Sequence, residues 1–238
     1  MAIGRCRVLG VLSRAAWSSA DAPAALVRAR AQALEMAREE TLVDATWCFR
    51  IVPLDSPPGA WLNAGGVSLH APRLLPASGR LTALACAVCT IGPALERRVR
   101  ALFEQRRASL AVALDQLGNE ALFETARRVQ DRIALTAARE GLSVAGELRP
   151  GDPGLDASAQ SPVLQLADAK RIECRVNNGG LLEPVKSTSI VLGVGIDLPA
   201  VKWSRCDPCP SRDRCRIAAK RSPRQQPNAT AAAAAATP

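Results

Sequence analysis

The sequence contains no tyrosine, and its other aromatic residues are few: four tryptophans and three phenylalanines in 238 residues. Proteins that hold single-stranded nucleic acid lean on aromatic platforms, so this scarcity argues against that class of function. Histidine occurs once, as His70. A Ser-His-Asp hydrolase would have to run through it, yet the surrounding Ser-Leu-His-Ala-Pro stretch carries no supporting motif. No apolar run approaches the roughly 20 residues that a membrane-spanning helix needs. The first residues, MAIGRCRVLGVLSRAAW, are basic with a short apolar stretch, but Arg14 interrupts it and no cleavage site follows. An Arg-rich, acid-poor start also has the character of an organelle transit peptide, the lesser reading. A cytoplasmic protein is expected, with its eight cysteines as thiols or metal ligands rather than disulfides.

What is present is an ordinary globular composition, 48% hydrophobic and 22% charged, enough for one substantial core with short appendages. The formal net charge is +9 and unevenly spread. Between Ser204 and Arg224 lie Arg205, Arg212, Arg214, Arg216, Lys220, Arg221 and Arg224, against only Asp207 and Asp213. Such a stretch is either a docking patch for an acidic partner or a solvated tail. From Pro223 onwards, Pro, Gln and Ala predict disorder. Three segments are therefore expected: an α+β domain over 1–203, a Cys-rich basic knuckle over 204–220, and a disordered tail over 221–238.

Periodicity fills in the domain. An Ala-rich helix is predicted over 22–40, with Pro23 in its first turn. The run WCFRIVP at 47–53 predicts a strand, and 62–69 a short strand broken by Gly65-Gly66. LTALACAVCTI at 81–91 reads as a buried strand, closed by Gly92-Pro93 and followed by a helix from 94 to about 105. Leu110, Ala113, Leu114, Leu117, Ala121, Leu122, Val129, Ile133 and Leu135 mark a long helix that Gly141 stops. Asp115 and Glu120 on it read as exposed helix residues. After the RPGDPGLD loop at 149–156, a short helix is predicted at 160–167. Alternation over 171–176 predicts a half-buried strand, and 188–194 another. Helices and strands mixed without strict βαβ order predict an α+β fold, a twisted antiparallel sheet with flanking helices.

Three ordered motifs carry a family resemblance. Thr90-Ile91-Gly92-Pro93 closes the buried strand, with Leu95-Glu96 opening the next helix. Arg149-Pro150-Gly151 precedes the 160–167 helix. Glu183-Pro184-Val185-Lys186-Ser187-Thr188-Ser189 follows RVNNGGLL. Together they resemble the activation domain of cobalamin-dependent methionine synthase and its free-standing bacterial relatives, from about Arg7 to Arg216. The resemblance implies a domain that binds S-adenosylmethionine and supports reductive methylation of an oxidised cobalamin, with an electron from a flavodoxin- or ferredoxin-like donor. It implies a cofactor cleft lined by Arg149, Pro150, Gly151 and Asp152 and by Glu183, Lys186, Ser187 and Ser189. Pro150 and Gly151 match the family's loop, but Asp152 stands where a tyrosine would be. The family's Leu-Thr-Glu-Ser turn is here Val176-Asn177-Asn178-Gly179. An arginine beside a Gly/Pro loop could hold the methionyl carboxylate in a bidentate pair.

A second signal is Cys206-x2-Cys209-x5-Cys215, whose spacing lets three thiolates bite one metal. Cys174 is a candidate fourth ligand, and so is the Cys86-x2-Cys89 pair. Zinc and a [4Fe–4S] cluster both suit such a set. The bland alternative is three surface thiols on a basic tail. The chain lacks the Asp-x-His-x-x-Gly pattern that supplies cobalamin's lower ligand and the Gly-Gly-Cys-Cys arrangement of the zinc site that activates homocysteine. Cobalamin is therefore expected only through a corrinoid-carrying methyltransferase partner. The reading is an accessory or reactivation component of such a system; the alternatives are a non-catalytic partner module that has lost the cofactor site, and a zinc-knuckle nucleic-acid binder that fits no common reader.

Overall fold

The computed structural model describes residues 1–14 and 23–199, all within one unit that spans Met1–Val201. The expected knuckle over 204–220 and tail over 221–238 lie outside the described residues. In chain order the elements are β1 (Ala2–Arg5), α1 (Leu9–Arg14), α2 (Ala24–Glu39), β2 (Thr46–Pro53), β3 (Trp61–Ala64), β4 (Val67–His70), β5 (Arg80–Thr90), α3 (Ala94–Glu104) and α4 (Ala108–Arg139). Then follow β6 (Ser143–Leu148), α5 (Gln160–Ala167), β7 (Arg175–Val176), β8 (Leu182–Glu183) and β9 (Ser187–Ile196).

Five strands form one sheet in the order β1-β2-β5-β9-β6, and every neighbouring pair is antiparallel. The expected α+β class with an antiparallel sheet and flanking helices is the one found. Strand β5 sits at the centre because its run of Ala, Leu, Val and Cys can be buried on both faces. One face presents Trp47, Phe49, Ala83, Ala85, Ala87, Cys89, Ile190, Leu192 and Val194 to a core shared with α2, α3 and α4. Small alanines on the central strand let α4, the longest helix, lie close to the sheet. On the other face Leu84, Cys86, Val88 and Val191 are buried beneath α5.

Two ion pairs tie the helices together. Arg30 of α2 grips Glu120 of α4 through two hydrogen bonds of 2.9 and 2.6 Å, and Arg98 of α3 grips Glu40 just past α2 at 2.8 and 3.0 Å. Glu120 is thus a structural ligand of α2 rather than an idle surface acid. Strands β3 and β4 form a hairpin rather than one broken strand. Gly65 and Gly66 both adopt positive φ there, as a two-residue hairpin turn requires. The predicted strand over 171–176 is mostly not a strand. Ala169–Ile172 is a 3-10 turn and Glu173 is left-handed at φ 54°, leaving only Arg175–Val176 extended.

Close approach of two strands constrains one glycine strongly. The register of β5 against β9 shifts between Leu81 and Ala83. There a Cβ built on Gly195 would lie 2.0 Å from the Arg80 carbonyl oxygen. Among the described residues no helix is long and apolar enough to cross a membrane.

Candidate functional site

Antiparallel pairing brings the C-terminal ends of β5 and β6 beside the start of β9. Thr90 opposes Ser187, and Leu148, the last residue of β6, opposes Val191. The Arg149 loop leaves β6 at this same end of the sheet. The two segments singled out in the sequence therefore meet: Arg149 Nη1 donates to Thr188 Oγ1 at 3.2 Å.

Around that contact most polar groups are already bonded to one another. Arg149 Nη2 reaches Glu147 Oε1 at 3.1 Å, and the guanidinium lies over the Phe123 ring, 5.9 Å from its centroid. The Asp152 carboxylate folds back to accept the Arg149 backbone N–H at 2.9 Å. That bond, with the Asp152 N–H on the Arg149 carbonyl at 2.8 Å, shapes a tight turn with Pro150 and Gly151 at its tip. Gly151 has φ 93°, a conformation few other residues tolerate.

The 183–189 segment divides. Lys186 extends its ammonium, side chain 12% exposed, to Asp115 Oδ1 at 2.7 Å and to Asn119 Oδ1 at 2.7 Å. Asp115, its side chain 43% exposed, is therefore an ion-pair partner of Lys186 that remains open to solvent. Ser187 donates to Thr90 Oγ1 at 2.9 Å, and Thr90 Oγ1 in turn accepts the Gly92 N–H at 3.1 Å. Ser189 is buried and accepts from Gln160 Nε2 at 2.7 Å, so it fastens α5 to the sheet. Glu183 stands apart on the β7–β8 hairpin. Hydrogen bonds from Arg175 and Asn177 hold its carboxyl below the usual range. Sequence reasoning missed Glu147, Phe123, Thr188 as a hydrogen-bond partner, Gln160 and Asn119. Only Glu147 left a signal: it is an acid two residues before Arg149 in the chain.

The cysteines sort by strand geometry. Cys86 and Cys89 lie on opposite faces of β5, because residues three apart on a strand point opposite ways; Cys89 belongs to the helix-side core and Cys86 to the other face. The two cannot bind one metal together. Cys174 is buried; burial pushes its thiol up, against a smaller opposite pull from the Ser187 hydroxyl. Among the described residues no cluster of three or more His, Cys, Asp and Glu could hold a metal ion. Cys206, Cys209 and Cys215 lie outside the described residues.

Burial pushes the Cys48 and Cys86 thiols up to about 12, and Cys89 is raised by the same cause. In the unfolded chain these thiols lose their protons near pH 8.5 to 9. Between about pH 9 and about pH 12 the unfolded state therefore binds fewer protons than the folded one, and stability falls as pH rises. For Cys86 the full span is worth on the order of 4 kcal/mol at about 1.4 kcal/mol per pKa unit. A melting temperature that stays flat from pH 8.5 to 11 would contradict this.

No family model matches the sequence, and no curated protein matches it. The fold does match a solved structure described as the crystal structure of the MetH reactivation domain bound to AdoHcy. The TM-score is 0.57 at 12% identity, over 84% of this chain and 69% of that one. At that identity the likeness is one of fold.

Proposed function

We propose that the protein is a cytoplasmic accessory component of a cobalamin-dependent methyltransferase system, methionine synthase being the prime case. It binds S-adenosylmethionine at the Arg149–Lys186 end of the sheet and supports reductive methylation of a partner corrinoid protein. The observation that carries the reading is the Arg149–Thr188 contact. It joins the Gly/Pro loop to the serine-rich strand, in a fold shared with a domain solved with AdoHcy, the demethylated counterpart of that ligand.

The residues suit such a ligand in kind. The Arg149 guanidinium matches a carboxylate in bidentate geometry, and Glu147 and Asp152 supply negative charge for a sulfonium. The open turn at Gly151 lets backbone approach closely. Binding would exchange one partner for another, the ligand carboxylate taking the place of Glu147 on Arg149. Within the same proposal Cys206, Cys209 and Cys215 hold zinc or a [4Fe–4S] cluster. The basic stretch over 204–224 docks an acidic flavodoxin- or ferredoxin-like electron donor.

Calorimetric titration with S-adenosylmethionine tests the cofactor half, on protein purified without oxygen and assayed for metal and acid-labile sulfide. Saturable heat with a Kd at or below about 1 mM, or about −4 kcal/mol, is the expected result. No heat at millimolar ligand removes that half.

A second reading is favoured by a specific observation: Lys186, Ser187, Ser189 and Glu183 are all engaged by protein partners. On this reading the domain is a non-catalytic module of a corrinoid protein. Binding to a purified corrinoid methyltransferase that is indifferent to S-adenosylmethionine would favour it.

A further inference from the structure

Most polar side chains near the start of α3 are used within the fold. Glu96 accepts the Val185 N–H at 2.8 Å, and Arg98 is committed to Glu40. The remaining arginines of this corner are not. Arg97, Arg100, Arg106 and Arg107 are all exposed, and none of their guanidinium groups is paired among the described residues.

Their placement is ordered. Arg97, Arg100 and Phe103 follow one another at intervals of three along α3 and so share a ridge. Phe103 is 50% exposed, a large aromatic in water beside two unpaired cations. Arg106 closes the helix in a left-handed conformation at φ 60°. Its N–H bonds the Phe103 carbonyl, and the Arg107 N–H bonds the Leu102 carbonyl. The turn that carries the last two arginines is thus fixed to the helix end. The row from Arg97 to Arg106 spans roughly 14 Å at about 1.5 Å per residue. Glu104 is the one acid exposed on it.

We propose that the α3–α4 corner is a docking surface for a carboxylate-rich protein surface, with Phe103 as its apolar anchor and Arg97, Arg100, Arg106 and Arg107 as its charge contacts. Arginine and exposed aromatics are the residue types that dominate protein–protein contact energy, and arginine pairs with carboxylates through two parallel bonds. Nucleic acid fits less well. A duplex backbone is continuous negative charge, which Glu104 repels in mid-row, and tight phosphate binding recruits about six to ten contacts. A mixed-sign protein surface can register against Glu104 instead. The surface is independent of the ligand cleft, so S-adenosylmethionine binding or its failure leaves the proposal where it stands.

The test uses the full chain and fluorescently labelled poly-L-glutamate, by anisotropy at about 20 mM salt, where screening is weak. Converting all four arginines to glutamine is expected to weaken binding about thirtyfold, roughly 2 kcal/mol. Arg212→Gln with Arg214→Gln and Arg216→Gln, in the basic stretch, is expected to change it less. Phe103→Ser reports on the anchor and should weaken binding several-fold at about 0.5 M salt, where the charge contribution is screened. All five positions are exposed, so the variants should keep the wild-type circular dichroism spectrum. Equal binding by wild type and the four-arginine variant overturns the proposal. So does complete loss in the basic-stretch variant, or tighter binding to a duplex DNA that the same four arginines control.

Discussion

In an Arg149→Leu variant, S-adenosylmethionine binding should fall below detection and stability should drop by about 3 kcal/mol, the lower end for breaking a largely buried ion pair. Both effects follow from one geometry. The guanidinium is 13% exposed and its partner Glu147 18% exposed, so leucine would take a cation away from a carboxylate in a poorly solvated place. It would also free the Thr188 hydroxyl that now ties the loop to β9. Arg149→Lys separates the two consequences, because it keeps the charge near Glu147 but loses the planar fork that matches a carboxylate. Lysine should recover much of the stability and little of the binding. Urea denaturation and calorimetry on the three proteins decide the matter. An Arg149→Leu protein as stable as wild type would mean that the pair with Glu147 contributes nothing.

The largest loss of stability is expected at Gly195. Valine there would place its Cβ 2.0 Å from the Arg80 carbonyl oxygen and 3.0 Å from the Leu81 Cα. These obstacles are backbone atoms of the central strand, which no rotamer change can move aside. Relief requires β9 to part from β5, at a cost above about 4 kcal/mol, in the exceptional class for single substitutions. In a domain of this size that corresponds to a melting temperature lower by about 10 °C or more. Gly10→Ala is the matched control. Nothing lies within 4 Å of the added methyl, and in helix α1 the change should be neutral or stabilising by up to about 1 kcal/mol. A Gly195→Val protein that melts with wild type would refute the close approach of β5 and β9.

The sequence made the regular elements legible where periodicity was strong and uninterrupted. Helix α5 runs from Gln160 to Ala167 as its pattern predicts, and β2, β5, α2 and α4 fall within a few residues of expectation. Strand β6 was not legible. Gly146 adopts φ 73° at the irregularity between Ala145 and Leu148, which breaks the alternation that would reveal a strand. Over 171–176 the alternation was real as burial but not as backbone. Ile172 and Cys174 are both buried, but Ile172 ends a 3-10 turn and left-handed Glu173 separates the two, and a period of two in burial does not by itself specify an extended chain.

The convergence of the two site segments could be inferred from the order of their motifs. Their partners could not, because Lys186 with Asp115 and Gln160 with Ser189 join residues that only the fold brings near. No local pattern marks such pairs. That is also why Asp115 and Glu120, read alone, look like ordinary helix surface.

The alternation that parts Cys86 from Cys89 has a chemical consequence of its own. Two sulfurs that project from opposite faces of one strand cannot be bridged, since a disulfide needs Cβ atoms roughly 4 Å apart and turned toward each other. Oxidants therefore have no way to staple the middle of the sheet through this pair.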